Sequence, residues 1–337
     1  MITETLAPAT PPSAAAPLLK VSGLQKHFVA RPSLFNRKAR VVRAVDGVDL
    51  ELERGKTLGL VGESGCGKTT TGRMLVQLEK PTSGDILLDG ADCSQATGDD
   101  LRAYRRRVQM VFQDPSASLD AKMSVRACIS EPLDVSRDGN RELRRARVAD
   151  LMHKVGLSHD MAERYPHQLS GGQRQRVGIA RALALSPDVI VADEPTSALD
   201  VSVRAQVVNL LRDLQEQLGI SFVFISHDLS TVRYVSHDVA VMYLGKIVEK
   251  GPADEIFAEP LHPYTKALLA AVPVPNPVLE SRREVILLEG ELPNPANPPS
   301  GCAFSTRCPL VMDRCREEAP ELRSVAEGRT VACHRVD

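Results

Sequence analysis

The types and spacing of residues 62–69 indicate phosphate binding, because they fit the pattern G-x-x-x-x-G-K-[ST] of a phosphate-binding loop. Glycines within this phosphate loop let the backbone curl so that its N–H groups point at phosphate oxygens. We expect Lys68 to reach the β- and γ-phosphates of a nucleotide and the Thr69 hydroxyl to ligate Mg²⁺. Cys66 should contribute only its backbone. The predicted nucleotide contacts are Gly62, Glu63, Ser64, Gly65, Cys66, Gly67, Lys68, Thr69 and Thr70.

Two acidic residues follow an apolar run and are candidates for metal binding and proton transfer. Asp193 and Glu194 come directly after Val189–Ala192, which has the composition of a buried strand. A carboxylate at such a strand end is held rigidly and faces the phosphate loop. We predict that Asp193 holds Mg²⁺ through water and that Glu194 accepts a proton from the attacking water. A pair of solvated acids is the alternative, and the sequence PTSALD that follows disfavours it.

Three further side chains are candidates for the same site. His227 follows the apolar run Phe222–Ile225 and could orient water at the γ-phosphate, although a lone histidine is more often structural. Gln113 follows another short apolar run and offers an amide that can touch both metal and water. Phe28 either stacks on adenine or belongs to the core, and the sequence does not separate these alternatives.

A parallel sheet covered by helices is the arrangement expected to position these residues. Buried-strand runs at Thr57–Val61, Val189–Ala192 and Phe222–Ile225 alternate with predicted helices at 69–78 and 203–218. Residues 239–249 resemble a closing hairpin, and 264–272 a short helix. Residues 114–166 are polar and helical. Within 140–156 we assign one apolar helix face, leave the arginines mostly to solvent and expect Gly156 to end the helix; the face comprises Leu143, Val148, Leu151, Met152 and Val155.

Composition narrows the class of protein. A length of 337 residues, of which 43% are hydrophobic, fits one large domain and an appendage. The net charge of −1 disfavours a dedicated nucleic-acid binder, so the arginine run 102–107 is interpreted as a solvated face. No run approaches the about 18 apolar residues that span a bilayer. Residues 1–18 lack a positive n-region and are predicted to be a disordered leader, so we expect a cytoplasmic protein.

Four cysteines in the tail have a spacing that could hold a metal. Successive members are separated by five, six and seventeen residues; they are Cys302, Cys308, Cys315 and Cys333. In a reducing compartment a thiolate-bound metal is a better interpretation than disulfides. Tetrahedral zinc and an iron–sulfur cluster both suit four thiolates, and the spacing matches neither a ferredoxin nor a paired zinc ribbon. His334 is a weaker alternative ligand.

The motifs together resemble those of ABC-type ATPases over about residues 20–255. They are GESGCGKTT (62–70), Gln113, LSGGQRQR (169–176), VADEPTSALD (191–200) and ISHD (225–228). The resemblance implies an ATP site that is completed by a second cassette, which would receive Ser170, Gly171, Gly172, Gln173 and Asp200 in trans. Glu194 and His227 match the family's pattern, which favours a hydrolysing cassette over a regulatory one.

The tail narrows the resemblance. HPYTKALL (262–269) and GELPNPANPPSGCAFSTRCP (290–309) resemble the C-terminal extension of dipeptide/oligopeptide importer ATP-binding subunits, most closely the second subunit of the pair. This implies an α/β fold of the P-loop NTPase type. An ABC cassette (19–258) would combine a parallel core sheet, an antiparallel β-subdomain and a helical subdomain (about 114–168). A Cys-rich extension (259–337) would follow. A [4Fe–4S] cluster is then favoured over Zn²⁺ or an empty site.

The resemblance also implies partners and a place. We expect three kinds of partner: a second, related ATPase subunit, two transmembrane permease subunits that dock near 113–132, and an extracytoplasmic peptide-binding protein. This chain itself is expected at the cytoplasmic face of the membrane. No nucleic-acid partner is expected. One alternative is an importer of another substrate, such as a nickel chelate. Another is a DNA-repair or chromosome-type ABC ATPase with cysteine-bound zinc. The interval of about 100 residues before LSGGQ, without sustained heptads, disfavours that alternative.

Overall fold

A computed structural model describes residues 16–30, 40–272 and 290–336. Residues 1–15 of the predicted leader, the basic stretch 31–39 and the Pro-rich stretch 273–289 lie outside these residues. The strands are β1 (Leu19–Ala30), β2 (Arg40–Leu52), β3 (Thr57–Val61), β4 (Ser83–Leu88), β5 (Ala91–Asp92), β6 (Val108–Val111), β7 (Val189–Asp193), β8 (Ser221–Ile225), β9 (Asp238–Tyr243), β10 (Lys246–Pro252), β11 (Arg323–Ala326) and β12 (Arg329–Val331).

The helices alternate with these strands through the middle of the chain. They are α1 (Lys68–Leu75), α2 (Gly98–Arg107), α3 (Pro115–Ser118), α4 (Val125–Val135), α5 (Arg141–Lys154), α6 (Gly171–Leu183), α7 (Val201–Leu218), α8 (Leu229–Val235), α9 (Ala253–Ala258), α10 (Pro263–Ala270) and α11 (Asp313–Glu317), with 3-10 turns at His159–Glu163 and Pro166–Gln168. In the part of the chain that is described, no helix is both long and apolar enough to span a membrane.

A mixed sheet, here called the core sheet, forms the centre of the molecule. Its strand order is β11-β12-β10-β9-β3-β8-β7-β6 over the described residues. Strands β9, β3, β8, β7 and β6 run parallel, and every residue of β3, β7 and β8 is buried. Such apolar strands need cover on both faces, which the alternating helices provide. The parallel order brings the ends of β3, β7 and β8 together at one edge of the sheet.

An antiparallel sheet of order β2-β1-β4-β5 packs beside the core sheet. The interior between them includes Leu24 and Val45 from this sheet, Leu58 and Leu60 from β3, and Met74 from α1. The predicted antiparallel subdomain is therefore present, and it packs directly against the strand and helix that flank the phosphate loop. The chain enters this core before residue 19, because Leu18 is 1% exposed.

The helical region between β6 and β7 departs from the predicted face at one position. Val148, Leu151, Met152 and Val155 are buried, whereas Leu143 is 62% exposed, so its assignment to the apolar face was wrong. At about 100° per residue Leu143 lies on the opposite side of the helix from Met152, which explains its exposure. Gly156 follows the helix with a φ of 68°, as expected for a residue that ends it.

One arginine of α5, Arg144, is less solvated than expected, whereas Arg141 and Arg145 are exposed as predicted. The side chain of Arg144 is 23% exposed, and its Nη1 lies 2.7 Å from Asp134 Oδ1 on α4. Its other nitrogens donate to the backbone carbonyls of Asp138 and Gly139. Arg144 thus joins α5 to the end of α4 and to the turn between them.

The C-terminal residues add strands to the core sheet. Strand β12 pairs with β10, with Val331 opposite Glu249, and β11 pairs with β12. Glu249 is fully buried, and its carboxylate lies 3.2 Å from Nη2 of Arg329 on β12. The same carboxylate accepts hydrogen bonds from the N–H groups of Leu261 and His262. Sequence analysis did not predict these strands.

Candidate functional site

The phosphate loop connects β3 to α1 and packs closely on neighbouring backbone. Gly67 has a φ of 110°, and a Cβ there would lie 2.2 Å from the carbonyl oxygen of Ala44. A Cβ on Gly62, whose φ is 152°, would lie 2.2 Å from the carbonyl oxygen of Met242. No other residue fits either position without moving β2 or β9. Glycine is therefore required at both by conformation and by space.

An open cavity of ≈ 500 Å³ lies over the loop, within the range of small-molecule sites. Predicted residues line it from the loop and from the ends of the parallel strands; they are Ser64, Gly65, Gly67, Lys68, Thr69, Thr70, Gln113, Glu194 and His227. The structure thus brings together groups that are far apart in the sequence. Lys68 Nζ donates to the carbonyl oxygens of Gly62, at 2.7 Å, and Glu63, at 2.9 Å.

One carboxylate joins the three residues predicted to be catalytic. Gln113 Nε2 donates to Oε2 of Glu194 at 3.0 Å, and His227 Nδ1 lies 3.1 Å from Oε1 of the same carboxylate. Glu194 has a φ of 44°, an uncommon conformation for a side chain other than glycine. Its N–H donates to the carbonyl of Ile225 on β8, which fixes this backbone. A single carboxylate is thus oriented by an amide on one side and an imidazole on the other.

Oxygen ligands suitable for Mg²⁺ lie at the base of the cavity. Thr69 Oγ1 donates to Oδ1 of Asp193 at 3.1 Å, so the hydroxyl and the carboxylate are adjacent. Asp193 is 3% exposed, and burial raises the pKa of its carboxyl above the usual value, while the Thr69 hydrogen bond opposes that rise. A buried carboxylate beside a hydroxyl fits a hard cation with oxygen ligands.

The LSGGQ turn lies outside this cavity. Ser170 caps α6: its Oγ accepts from the N–H of Gln173 at 3.3 Å, and Gln173 Oε1 accepts from the N–H of Ser170 at 2.9 Å. A Cβ on Gly172 would lie 2.4 Å from Cγ1 of Val203 on α7. Ser170 and Asp200 are exposed. Gly171, half-buried, belongs to the same turn, and none of these residues lines the cavity of their own chain.

Comparisons with known proteins agree with this geometry. Residues 45–197 match the family of ABC transporters, and residues 248–315 match the C-terminal region of oligopeptide/dipeptide transporters. A probable peptide ABC transporter ATP-binding protein of Sinorhizobium fredii is 55% identical, with 94% of this chain and 89% of the relative covered. The dipeptide transport ATP-binding protein DppF of Escherichia coli is 50% identical, with 95% of each chain covered.

This chain belongs to the ATP-binding proteins of oligopeptide/dipeptide ABC transporters. It is therefore an ABC ATPase, a class that hydrolyses ATP. Among solved structures, the dimeric post-hydrolysis cassette MJ0796 bound to ADP and Pi has a TM-score of 0.62 and 29% identity, covering 70% of this chain and 98% of that one. The ABC cassette fold is thus confirmed.

Some residues predicted to contact ATP do not line the cavity of this ABC cassette. Gly62 and Cys66 belong to the loop but do not line the cavity, and burial raises the pKa of the Cys66 thiol. Glu63 points away toward the C-terminal residues. Phe28 is 41% exposed, which contradicts the core alternative, and the Lys26 ammonium lies 5.1 Å from its ring centroid. Phe28 lies on β1 opposite Val42, a residue that lines the cavity. Stacking of the Phe28 ring on adenine stays a prediction.

Sequence reasoning missed several residues of the ABC cassette that line the cavity. Val42, Arg43 and Ala44 come from β2, and Pro295 comes from the C-terminal Pro-rich stretch. No sequence motif marks the first three, and nothing in the sequence places Pro295 beside the phosphate loop. Asp228, part of the ISHD motif, caps α8, and its Oδ2 accepts a hydrogen bond from Nη1 of Arg204 at 3.1 Å. It anchors the segment that carries His227.

The four C-terminal cysteines surround one small, apolar cavity of ≈ 10 Å³, together with His262 and Phe304. All four are free thiols. Burial raises the pKa of Cys302 to about 11, and the neighbouring cysteines add to that rise. Within residues 16–30, 40–272 and 290–336, no three Cys, His, Asp or Glu side chains are grouped as a metal site. The predicted iron–sulfur cluster is therefore not confirmed. Nε2 of His334 lies 3.0 Å from the carbonyl oxygen of Glu318.

Proposed function

We propose that this ABC ATPase powers the import of dipeptides or oligopeptides across the cytoplasmic membrane. The observation that carries the ATPase part is the Glu194 carboxylate, which orients Gln113 and His227 over the phosphate loop. The peptide part is supported by the oligopeptide/dipeptide region at 248–315 and by relatives named for peptide transport. Glu194 acts as the general base, His227 and Gln113 orient the attacking water, and Asp193 and Thr69 hold Mg²⁺.

The ATP site is proposed to be composite. Lys68 and the loop amides hold the phosphates from one cassette, and Ser170, with its neighbours Gly171, Gly172 and Gln173, reaches the γ-phosphate from another. Asp200 lies across that interface. Support comes from the exposure of Ser170 and Asp200 and from the fact that neither residue lines the cavity of its own chain. The second cassette is proposed to be a related but distinct subunit.

The composite site has a direct test with two variants. Lys68→Ala should weaken ATP binding to a single cassette by about 3 kcal/mol, because it removes a cation from the phosphates. Ser170→Arg should leave binding to the single cassette unchanged and abolish ATP-dependent pairing of cassettes, measured by light scattering. If Ser170→Arg weakens binding to the single cassette as much as Lys68→Ala does, the site is not composite.

Two permease subunits are proposed to dock on the groove between the core sheet and α4. This groove has a volume of ≈ 940 Å³ and combines apolar walls with a basic rim; its lining includes Phe112, Pro132, Val135, Arg105, Arg106 and Arg137. It lies beside Gln113, so movement of a docked permease could reach Glu194. An extracytoplasmic peptide-binding protein is proposed to deliver the substrate. The subunit itself is proposed to work at the cytoplasmic face of the membrane, without nucleic acid.

The transport function is tested in the reconstituted complex. The complex of this subunit, its partner cassette, the permeases and the binding protein should hydrolyse ATP faster when the binding protein carries a dipeptide or oligopeptide. The control is the same complex with a binding protein that carries no peptide. Stimulation by a nickel chelate and not by peptides would refute the proposed substrate.

We further propose a cassette at 19–258, with a helical subdomain at about 114–168, and an extension at 259–337 after a leader at 1–18. In the extension, Cys302, Cys308, Cys315 and Cys333 would hold a [4Fe–4S] cluster, or Zn²⁺ as the alternative. Their shared cavity supports this, since bound metal stabilises thiolates that burial alone disfavours. A cluster would supply a structural crosslink. Anaerobically purified protein should be brown with about four irons per chain; colourless protein with neither metal would refute the site.

A further inference from the structure

The extension (259–337) holds the phosphate loop at Glu63, through both the backbone and the side chain of that residue. The N–H of Glu63 donates to Oη of Tyr264 on α10 at 2.8 Å. Its carboxylate accepts two hydrogen bonds from Arg307, at 2.7 Å from Nη1 and 3.1 Å from Nη2. Both partners come from beyond residue 258, so this part of the loop depends on the extension.

The ion pair has the geometry of a strong contact. Arg307 is bidentate, and its side chain is only 7% exposed, while that of Glu63 is 27% exposed. The Glu63 hydrogen bond is the main cause that raises the pKa of Arg307. Planar, two-point pairing fixes direction as well as distance, which a lysine could not reproduce. The pair therefore orients the Glu63 peptide rather than merely neutralising it.

A packed aromatic cluster makes both anchors rigid. The Tyr264 ring lies 4.7 Å from that of Tyr243 on β9 and 5.4 Å from that of Phe304, measured between centroids. Tyr264 is fully buried. The N–H of Arg307 donates to the carbonyl of Phe304 at 3.0 Å, which ties the arginine to the same cluster. The extension and β9 thus present Arg307 and the Tyr264 hydroxyl from one fixed body.

Displacement of Glu63 would reach the residues that meet phosphate. Lys68 Nζ donates to the carbonyl of Gly62, which belongs to the same peptide unit as the Glu63 N–H that Tyr264 holds, and to the carbonyl of Glu63 in the next peptide unit. On the other side of the loop, Leu292 of the extension lies 3.9 Å from where a Cβ of Gly65 would be. Pro295 lines the cavity itself. The extension therefore contacts the loop at its start and its middle.

We propose that Arg307 and Tyr264 are positioning residues for ATP binding, so that the extension sets the affinity of the phosphate loop. This inference rests on the proposed nucleotide site. Neither residue touches phosphate: each holds Glu63, and Glu63 holds the loop in the shape that directs Lys68. The competing explanation is that these contacts only fasten the extension to the cassette.

Variants separate the two explanations. Arg307→Met should weaken ATP binding by about ten-fold, because it removes a bidentate contact to a charged group. Tyr264→Phe, which removes only the hydroxyl, should weaken binding by about three-fold or more. Arg307→Lys should recover only part of the affinity, since it keeps the charge without the fork. In turnover, KM for ATP should rise while kcat changes little, because the base at Glu194 is untouched.

Two other arginines of the extension serve as matched controls. Arg314 also pairs with two oxygens of a carboxylate, that of Glu318, but the pair is exposed and joins α11 to its own C-cap, so Arg314→Met should behave as wild type. Arg329 pairs with the buried Glu249 and fastens the extension at β10. Arg329→Met should lower the thermal midpoint without changing the affinity of the folded protein for ATP.

The measurements are ATP titration calorimetry and thermal unfolding of the full chain, with ATP turnover in the assembled transporter. The inference holds if Arg307→Met and Tyr264→Phe raise the Kd for ATP while Arg329→Met does not. It is overturned if both bind ATP within about two-fold of wild type and differ only in thermal midpoint. Failure of the wild-type chain itself to bind ATP would instead refute the proposed nucleotide site.

Discussion

Replacement of Glu194 by glutamine isolates the chemical step from nucleotide binding. The carboxylate is 16% exposed and has two acceptor oxygens, which face Gln113 Nε2 and His227 Nδ1. A glutamine offers one acceptor and one donor in the same shape. The donor can be accommodated if the amide of Gln113 turns over or if His227 carries its proton on Nε2. The site should therefore keep its packing and lose only its base.

The size of the effect follows from that single loss. A positioned general base contributes a factor of about 10²–10⁴ to the rate, or about 3–5 kcal/mol. Steady-state ATPase assays of Glu194→Gln in the assembled transporter should show kcat lower by that factor. The Kd for ATP, from calorimetry, should stay within about three-fold of wild type because no phosphate contact is removed.

Two outcomes would contradict this reasoning in different ways. Turnover by Glu194→Gln within about ten-fold of wild type would mean that another group accepts the proton. Loss of ATP affinity comparable to that of Lys68→Ala would mean that Glu194 is a binding group. Glu194→Asp is the matched variant, since it retains a carboxylate but shortens the side chain and withdraws it from Gln113 and His227. It should retain more activity than Glu194→Gln.

Three further predictions test the fold that holds this site. Gly67→Ala should abolish ATP binding measured by calorimetry, because its Cβ would lie 2.2 Å from the Ala44 carbonyl oxygen. Leu151→Ala should lower the free energy of unfolding by about 2–5 kcal/mol in urea titrations, and Leu143→Ala by less than about 0.5 kcal/mol, since only Leu151 is buried. Burial lowers the pKa of His262 from 6.5 to about 3 in the folded protein. Between pH 6.5 and about 3 the imidazole is therefore protonated in the unfolded chain and neutral in the folded one, so the free energy of unfolding must fall as the pH decreases through that range. His262→Asn, which can still cap α10, should reduce the slope by up to about 1.4 kcal/mol per pH unit in denaturant titrations.

The sequence was sufficient to predict the parts of the site that obey local rules. Thr57–Val61 is a strand with the predicted bounds, because a short apolar run before a glycine loop has few alternatives. The ends of such strands meet at one sheet edge by geometry, so the proximity of Glu194 and His227 followed from topology. The resemblance supplied what local pattern did not: the assignment of Ser170 to a second cassette.

What could not be predicted depended on contacts between distant segments. The short strands β11 and β12 carry little apolar pattern, and they form because β10 offers an edge and Glu249 offers Arg329 a buried partner. Pro295 reaches the nucleotide cavity only through the path of a Pro-rich stretch, which no periodicity encodes. Leu143 differs from the prediction for a simpler reason: at about 100° per residue it lies on the opposite side of α5 from the buried Met152.

The position of Arg307 explains why the extension is more than an appendage. It lies between Cys302 and Cys308, both of which line the small cysteine cavity, and its guanidinium holds the carboxylate of Glu63 in the phosphate loop. Any change that reshapes the segment 302–308 must move this guanidinium, because the segment is short and packed on Tyr264. Hence one residue, Arg307, links the segment that lines the cysteine cavity to Glu63 in the phosphate loop. A metal bound by the cysteines would thereby stabilise the loop as well as the tail.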